Sequence, residues 1–443
     1  MIFLILPNQL YDIGYLKNIG KKKQIVIWEC PHYFTAYAYN KKKLILHRAS
    51  MKAYYDMLLK KGYKARYIEF HERLDTNMDK DKDKEYLLYN PLDHPKLLGL
   101  PKNHKIIKDI IPNMLLSSDM LDEYRLHTNK FFFNAFYMWS KKKVGILPGI
   151  KSQDKANRLR LTKSIKISQP YDDVIVSKDI KEYIKEASEY VLKHFSKNPG
   201  NIEAFMYPIN RVDALKWLKH FIKYKFKNFG PYQDFIDKDN KHLYHSLLSA
   251  LLNIGLIGPH DVIRMLPKFG IPMNSYEGFI RQLFWREYQH YCYRYFDFTG
   301  NYFGKNKKLG KQWYDAKVGI EPVDDAIKEA FDSGYLHHIK RLMVVGNYMN
   351  LCGILPKEGF KWFMEFSCDS YEWVMHQNVY EMVFCISGGG TMRRPYISSS
   401  NYIINMSNYK RGDWCKVWDD KYKAFVIKNK KKLWKFRYYF RGI

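Results

Sequence analysis

The spacing of apolar residues changes once along this 443-residue chain, and that change limits the fold more than any other feature. Over the first part, short apolar runs alternate with one amphipathic stretch. Ile2–Leu6 (IFLIL) reads as a buried strand that stops at Pro7-Asn8-Gln9, and Gln24–Glu29 (QIVIWE) reads as a second. Between Lys41 and Lys61, Leu44, Met51, Tyr55, Leu58 and Leu59 fall on one face of a helix, with Gly62 as its stop. Ala65–Phe70 (ARYIEF) is again strand-like. Strand, strand, helix and strand at these lengths predict an α/β layer with a parallel sheet over about residues 1–120. No GxGxxG follows the first strand, which disfavours a dinucleotide-binding domain of the usual kind. Asp75–Lys84 is polar enough for an exposed loop, and Lys141–Ser168 is basic and reads as a crossover between domains. Beyond about Lys181 the apolar spacing is three and four, broken by Gly and Pro, which predicts roughly ten helices and no sheet.

A well-buried protein is expected, because 46% of the residues are hydrophobic and 17% aromatic. Lys and Arg total 74 against 45 Asp and Glu, a net charge of +29. Such a charge concentrates polyanions and fits contacts to a nucleic-acid backbone, although a lysine-rich composition that only solvates the surface gives the same sum. The six cysteines (Cys30, Cys292, Cys352, Cys368, Cys385 and Cys415) form no CxxC pair, so neither a zinc ribbon nor a disulfide framework is indicated. The run from Met1 to Leu6 is too short for a signal-peptide core, and no stretch approaches the roughly 18 apolar residues of a spanning helix. The expectation is a soluble intracellular protein that meets no membrane, with cytoplasm, nucleus and virion not distinguished.

Three stretches of the helical half carry candidate chemistry. In the first, His245, Ser246, Leu248 and Ser249 stand at the start of an apolar helix, where hydroxyls and free N–H groups suit phosphate; an ordinary N-cap fits the same residues. In the second, FIRQLFWREYQHY, Trp285 and Arg286 lie three and four residues beyond Gln282 and share its helix face. An aromatic ring beside a guanidinium and an amide suits a stacked base or a flavin with its phosphates, or a core helix with a surface Arg. The third runs from His337 and His338 through Arg341 to Asn347, with Asp369 and Asn378 downstream. Neighbouring histidines within a helix diverge by roughly 100°, so a shared metal is not expected. A buried Arg341 needs a carboxylate, and Asp369 is the candidate.

In this order and spacing the three stretches resemble the flavin-binding half of the photolyase/cryptochrome family, in the photolyase-related branch that includes the bacterial iron–sulfur (6-4) photolyases. LPNQL and ECPHYFTAYAYNKKK look like that branch's antenna domain, and FFFNAFYMWSKKKVGIL and QDKANR look like its connector. GYLHHIKRLMVVGNY, YEWV, GGGTMRRPYISSSNYI and MSNY look like its C-terminal signatures. The resemblance implies a Rossmann-like α/β antenna domain at 1–120, a connector at 121–195, and an all-α FAD-binding and DNA-binding domain at 196–443. It implies FAD, and in the antenna domain a second chromophore of folate or lumazine type. Tyr232, His245, Ser246, Leu248 and Ser249 would hold the diphosphate and ribityl chain, and Gln282 and Arg286 would line the adenine side. Arg341 and Asp369 would pair beside the isoalloxazine, with Asn347 and Asn378 close to the ring. Trp285 and Tyr396 would meet the extruded lesion. Trp362 and Trp313 match tryptophans that relay electrons, while Phe363 stands where relatives carry a tyrosine.

The branch also holds a [4Fe–4S] cluster through four cysteines, but Pro322, Lys410 and Asp413 occupy aligned positions here. Fe–S ligation needs thiolates, so no cluster is expected. The implied activity is light-driven repair of UV-damaged DNA by a monomer, a deoxyribodipyrimidine photolyase. A (6-4) photoproduct needs a proton as well as an electron, which gives the His337-His338 pair a use, with His338 as donor. A cyclobutane-dimer photolyase needs no protein acid and is the alternative. A cryptochrome-type light receptor is another, although only about 34 residues follow Tyr409, ending in the basic WKFRYYFRGI. A flavin-free basic nucleic-acid-binding module is the third.

Overall fold

The computed structural model describes residues 1–17, 19–74, 85–162, 165, 171 and 178–440. The expected loop Asp75–Lys84 and part of the basic crossover lie outside the described residues. The chain forms two compact units: Met1–His127, Gln169–Lys223 and Ser246–Lys268 make the first, and Thr128–Ser168, Tyr224–His245 and Phe269–Ile443 make the second.

The first unit is built on a five-stranded parallel sheet in the order β3-β2-β1-β4-β5, with β1 Ile2–Ile5, β2 Gln24–Trp28, β3 Lys64–Ile68, β4 Tyr86–Tyr89 and β5 His104–Ile107. Phe3, Leu4 and Ile5 pair with Ile25, Val26 and Ile27, and all six side chains are buried. Parallel strands covered on both faces read as unbroken apolar runs, which is why β1 and β2 are visible in the sequence. Asn40 caps the helix Lys41–Lys60 by accepting from the Lys42 N–H at 2.9 Å, and Gly62 ends it in the left-handed region.

A buried charge network ties this helix to the sheet and to the helix Lys178–Phe195. Glu29, at the end of β2, is fully buried and accepts from Arg48 (2.8 Å), Tyr67 (2.5 Å), Tyr190 (3.0 Å) and the Phe70 N–H (3.1 Å). Arg48 also meets Glu69 and Glu186, and its guanidinium lies 3.8 Å from the centre of the Tyr190 ring. Glu29→Gln keeps the shape but removes the charge facing Arg48, so unfolding free energy should drop by about 2 kcal/mol. Urea titration checks this; an unchanged midpoint would show that Glu69 and Glu186 suffice.

The second unit is helical, with only the isolated bridges Ile236–Ser407 and Lys307–Ile354 among its described residues. Its central element is the helix Met273–Tyr295, which buries Phe279, Ile280, Leu283, Phe284, Tyr288 and Tyr291. The Tyr137 hydroxyl donates to Glu277 at 2.7 Å and fixes the helix Phe133–Val144 against it. Gly230 brings the helix Phe226–Tyr232 in from another side: a Cβ there would meet the Asn274 carbonyl oxygen at 2.5 Å. Lys340–Gly346 and His376–Val383 are wound as π-helix, as is Phe221–Lys225. Such segments are rare and concentrate at functional sites, and the first two carry Arg341 and Asn378.

Candidate active site

Most of the site residues named from the sequence fall in the second unit. On the helix Met273–Tyr295, Gln282, Trp285 and Arg286 occupy one face, and Gln289 continues it one turn on. Arg286 is buried with its guanidinium 4.8 Å from the Trp373 ring. The Trp285 indole points its N–H at Asn378 Oδ1, 3.4 Å away, and its ring meets Phe133 edge-on at 4.4 Å. Asn378 donates from its other amide atom to the Val374 carbonyl at 2.7 Å.

Arg341 and Asp369 form a bidentate pair at 2.9 and 3.2 Å, with side chains only 17% and 13% exposed. Arg341 Nε donates to the Leu336 carbonyl at 2.7 Å, which fixes the fork. Its guanidinium lies 5.1 Å from the Phe366 ring, and Phe366 packs on Trp362 at 4.8 Å. The Trp362 indole donates to the Trp313 carbonyl at 2.8 Å, and Trp313 lies 6.2 Å from Tyr348. Phe363 packs edge-on against Trp362 at 5.2 Å. Asn347 spends its amide on Met343 and on both oxygens of Ser398. Its visible role is therefore to anchor the 398 region.

The histidines depart from expectation. His337 and His338 do not diverge: their rings stack at 4.9 Å and 9°. His337 lies in the coil before the helix, so helical spacing does not apply to it. The His245 ring sits 4.1 Å from His337 and 5.6 Å from His338, and each of the three has a ring nitrogen within 4.8 Å of the others. His337 Nδ1 accepts from the Ile339 N–H at 3.0 Å, which puts the proton of a neutral ring on Nε2 and makes that atom a poor metal ligand. His338 differs from its neighbours in being half exposed and held by Asp234 Oδ1 at 3.2 Å from its Nε2. Asp234, which sequence reasoning missed, also faces Arg158 at 3.8 Å.

Burial pushes His245 and His337 well below the ordinary imidazole value, aided by neighbouring imidazoles, and pushes His242 down to about 4, aided by Lys225, Lys241 and Lys340. All three are neutral in the folded chain near neutral pH. Once unfolded they bind protons near pH 6.5, so stability is full above that value and falls as pH drops toward about 4. The melting temperature should accordingly decline on acidification below about pH 6.5, and His242→Phe should shallow that decline. A melting temperature independent of pH down to about 4.5 would contradict the assignment.

Tyr232 packs against Phe235, Leu243 and Tyr244. Tyr396 is partly buried with the Arg394 guanidinium 5.5 Å from its ring. Ser246, Leu248 and Ser249 belong to the first unit. There the Ser246 carbonyl accepts from the Trp217 indole at 2.9 Å, and the helix that begins at Ser249 has only five residues. Its dipole is correspondingly small, so the anion site expected there gains little from the helix itself.

The residues present fit a polar cofactor. Gln289 is fully buried, yet neither atom of its amide has a partner among the described residues, and Gln377 Oε1 is in the same condition. Single amide atoms of Asn8, Asn157 and Gln233 are also left over, but Gln289 lacks partners at both, and buried amides are generally paired, so it calls for a group the protein does not supply. The helical position of Gln289, seven residues beyond Gln282, could have been read from the sequence.

The sequence profile of the family described as "Deoxyribodipyrimidine photo-lyase-related protein" matches residues 3–207. A (6-4) photolyase of Agrobacterium fabrum is 35% identical over 269 residues, 56% of this chain and 53% of that protein. The chain spans about half the length of the curated photolyases it matches. An uncharacterised protein of Acanthamoeba polyphaga mimivirus is 52% identical over 88 residues, 20% of this chain and 72% of that protein. Among solved structures, a bacterial class III photolyase from Agrobacterium tumefaciens superposes with a TM-score of 0.57 at 15% identity, covering 97% of this chain and 91% of the other. A Sulfolobus tokodaii photolyase with two FAD molecules gives 0.54 at 12% identity over 98% and 89%. With the parallel sheet and the helical second unit already in place, the chain has the photolyase/cryptochrome fold, and its residues 3–207 match the photolyase-related family.

Proposed function

We propose that this protein is a deoxyribodipyrimidine photolyase that repairs UV-damaged DNA, acting on (6-4) photoproducts with FAD as its resident cofactor. One observation carries the choice of lesion: of three clustered imidazoles, two are buried and neutral, and only His338 is both exposed and held by a carboxylate. That is the arrangement of a proton donor facing a substrate. With Asp234 on Nε2, the proton presented to the lesion is the one on Nδ1. The similarity to the Agrobacterium (6-4) photolyase supports the same reading.

When bound and reduced, the flavin supplies an electron on absorbing a photon, chemistry that no side chain offers. The protein's own tasks are binding, orientation and proton supply. Gln282, Arg286 and Gln289 would hold the cofactor's polar groups from one helix face, and Tyr232 and His245 its diphosphate side. The Arg341–Asp369 pair would set a fixed dipole beside the ring, with Asn347 and Asn378 next to it. Trp285 and Tyr396 would receive the extruded nucleotides, which a damaged duplex releases at reduced cost. Trp313 and Trp362, joined by the Trp362 indole N–H on the Trp313 carbonyl, would conduct reducing electrons inward. The sheet unit would house any second chromophore.

Absorption spectra of the purified protein, followed by repair assays on both defined lesions in the dark and under blue light, test the reading. A flavin spectrum with light-dependent loss of (6-4) photoproducts is expected. A protein without flavin would overturn it, and repair confined to cyclobutane dimers would overturn the lesion assignment. Flavin without repair of either lesion would favour a light receptor.

A further inference from the structure

The basic aromatic stretch that follows the helix Asp413–Lys428 has no part in the site described above. Residues 430–440 read KKKLWKFRYYF, with five cations, five aromatic rings and no acid. Leu433, Phe436 and Phe440 are buried, whereas Trp434, Tyr438 and Tyr439 are 60%, 77% and 48% exposed. Inward residues therefore seat the segment while three large rings stay in solvent.

Its seating is specific. Lys435 donates to the Gly388 carbonyl at 2.7 Å, Lys432 donates to the Tyr302 carbonyl, and the Tyr302 hydroxyl donates to the Lys432 carbonyl at 2.9 Å. Phe436 lies against Gly389, whose φ of +101° and clearance of 3.2 Å at a Cβ exclude most side chains. The segment is thus fastened to the GGGTMRRPY loop. Across that join, the Arg394 guanidinium lies 5.5 Å from the Tyr396 ring and 5.3 Å from the Tyr439 ring. Arg437 lies 5.2 Å from Trp434 and 4.8 Å from Tyr438.

We propose that Lys430–Phe440, joined through Arg394 to Tyr396, is a docking surface for unpaired DNA bases beside an extruded lesion. Exposed rings alternating with cations offer stacking faces and phosphate partners together, the chemistry by which single strands are held. Paired DNA hides its base faces, so only the cations of this surface would serve it. The surface rests on the repair reading for its link to a lesion, but its binding chemistry can be measured separately.

The test uses the full chain and two undamaged, dye-labelled duplexes, one fully paired and one with a short central bubble. Fluorescence anisotropy is followed across a salt series. Trp434→Ala combined with Tyr438→Ala should weaken binding to the bubble roughly tenfold and leave the paired duplex nearly unchanged. Arg437→Ala should lower the salt slope by about one on both duplexes. Flavin content and repair at saturating DNA should match the parent, since none of these residues touches the site. Equal losses on both duplexes would overturn base stacking, and unchanged affinity throughout would overturn the surface altogether. If the parent chain repairs nothing, the repair reading falls while the bubble comparison still decides the surface.

Discussion

Replacing Asp369 with asparagine should strip the protein of most of its flavin and of its light-driven repair. Asp369 and Arg341 are both largely buried, and Arg341 is fixed by Leu336 on one side and faces Phe366 on the other. It cannot swing to water when its partner is lost. Removing one member of such a pair costs about 3–5 kcal/mol, because a buried charge is left uncompensated. Spent on the cofactor-competent arrangement, that cost weakens retention by roughly a hundredfold or more. Arg341→Met in the Asp369→Asn background removes the stranded charge and should recover stability but not flavin. Absorbance after gel filtration and the melting temperature are the measurements. An Asp369→Asn protein that keeps its full flavin and parental melting temperature would refute the placement of the pair.

The second large effect is expected at His338. His338→Ala should lower repair of (6-4) photoproducts by about 10²–10⁴-fold, the usual contribution of a positioned acid. Flavin content should not change, since His338 is half exposed and is not among the residues assigned to the cofactor. Retained flavin and a parental melting temperature separate this loss from a folding defect, which would depress all three. Single-turnover repair of the defined (6-4) lesion reads it directly, and normal (6-4) repair by the variant would remove His338 from the chemistry.

Much of this was legible in the sequence because the relevant contacts are local or forced. β1 and β2 are unbroken apolar runs because both faces of a parallel sheet are covered. β5 (HKII) is only partly buried and carries no unbroken apolar run, whereas β4 (YLLY) is as long as β1 and was within reach. The face of Gln282, Trp285 and Arg286 follows from helical spacing alone. The Arg341–Asp369 pair follows from the cost of burying a lone guanidinium. The histidine cluster was not legible, since His337 precedes the helix that the spacing rule assumed. Nor was Asp234, which reaches His338 from 104 residues away through coil that carries no period. Gln289 was within reach, one turn past residues already singled out.

The route of the chain between the two units has a practical consequence. Five times it leaves one unit for the other, so each is assembled from three separate stretches. No single cut yields an intact half: a fragment ending at His127 lacks the helix Lys178–Phe195, and with it Glu186 and Tyr190 of the network that clamps Arg48 and Glu29. Encoding this protein in pieces would work only if the pieces found each other again. A protease nick could leave it whole in function while severed in sequence.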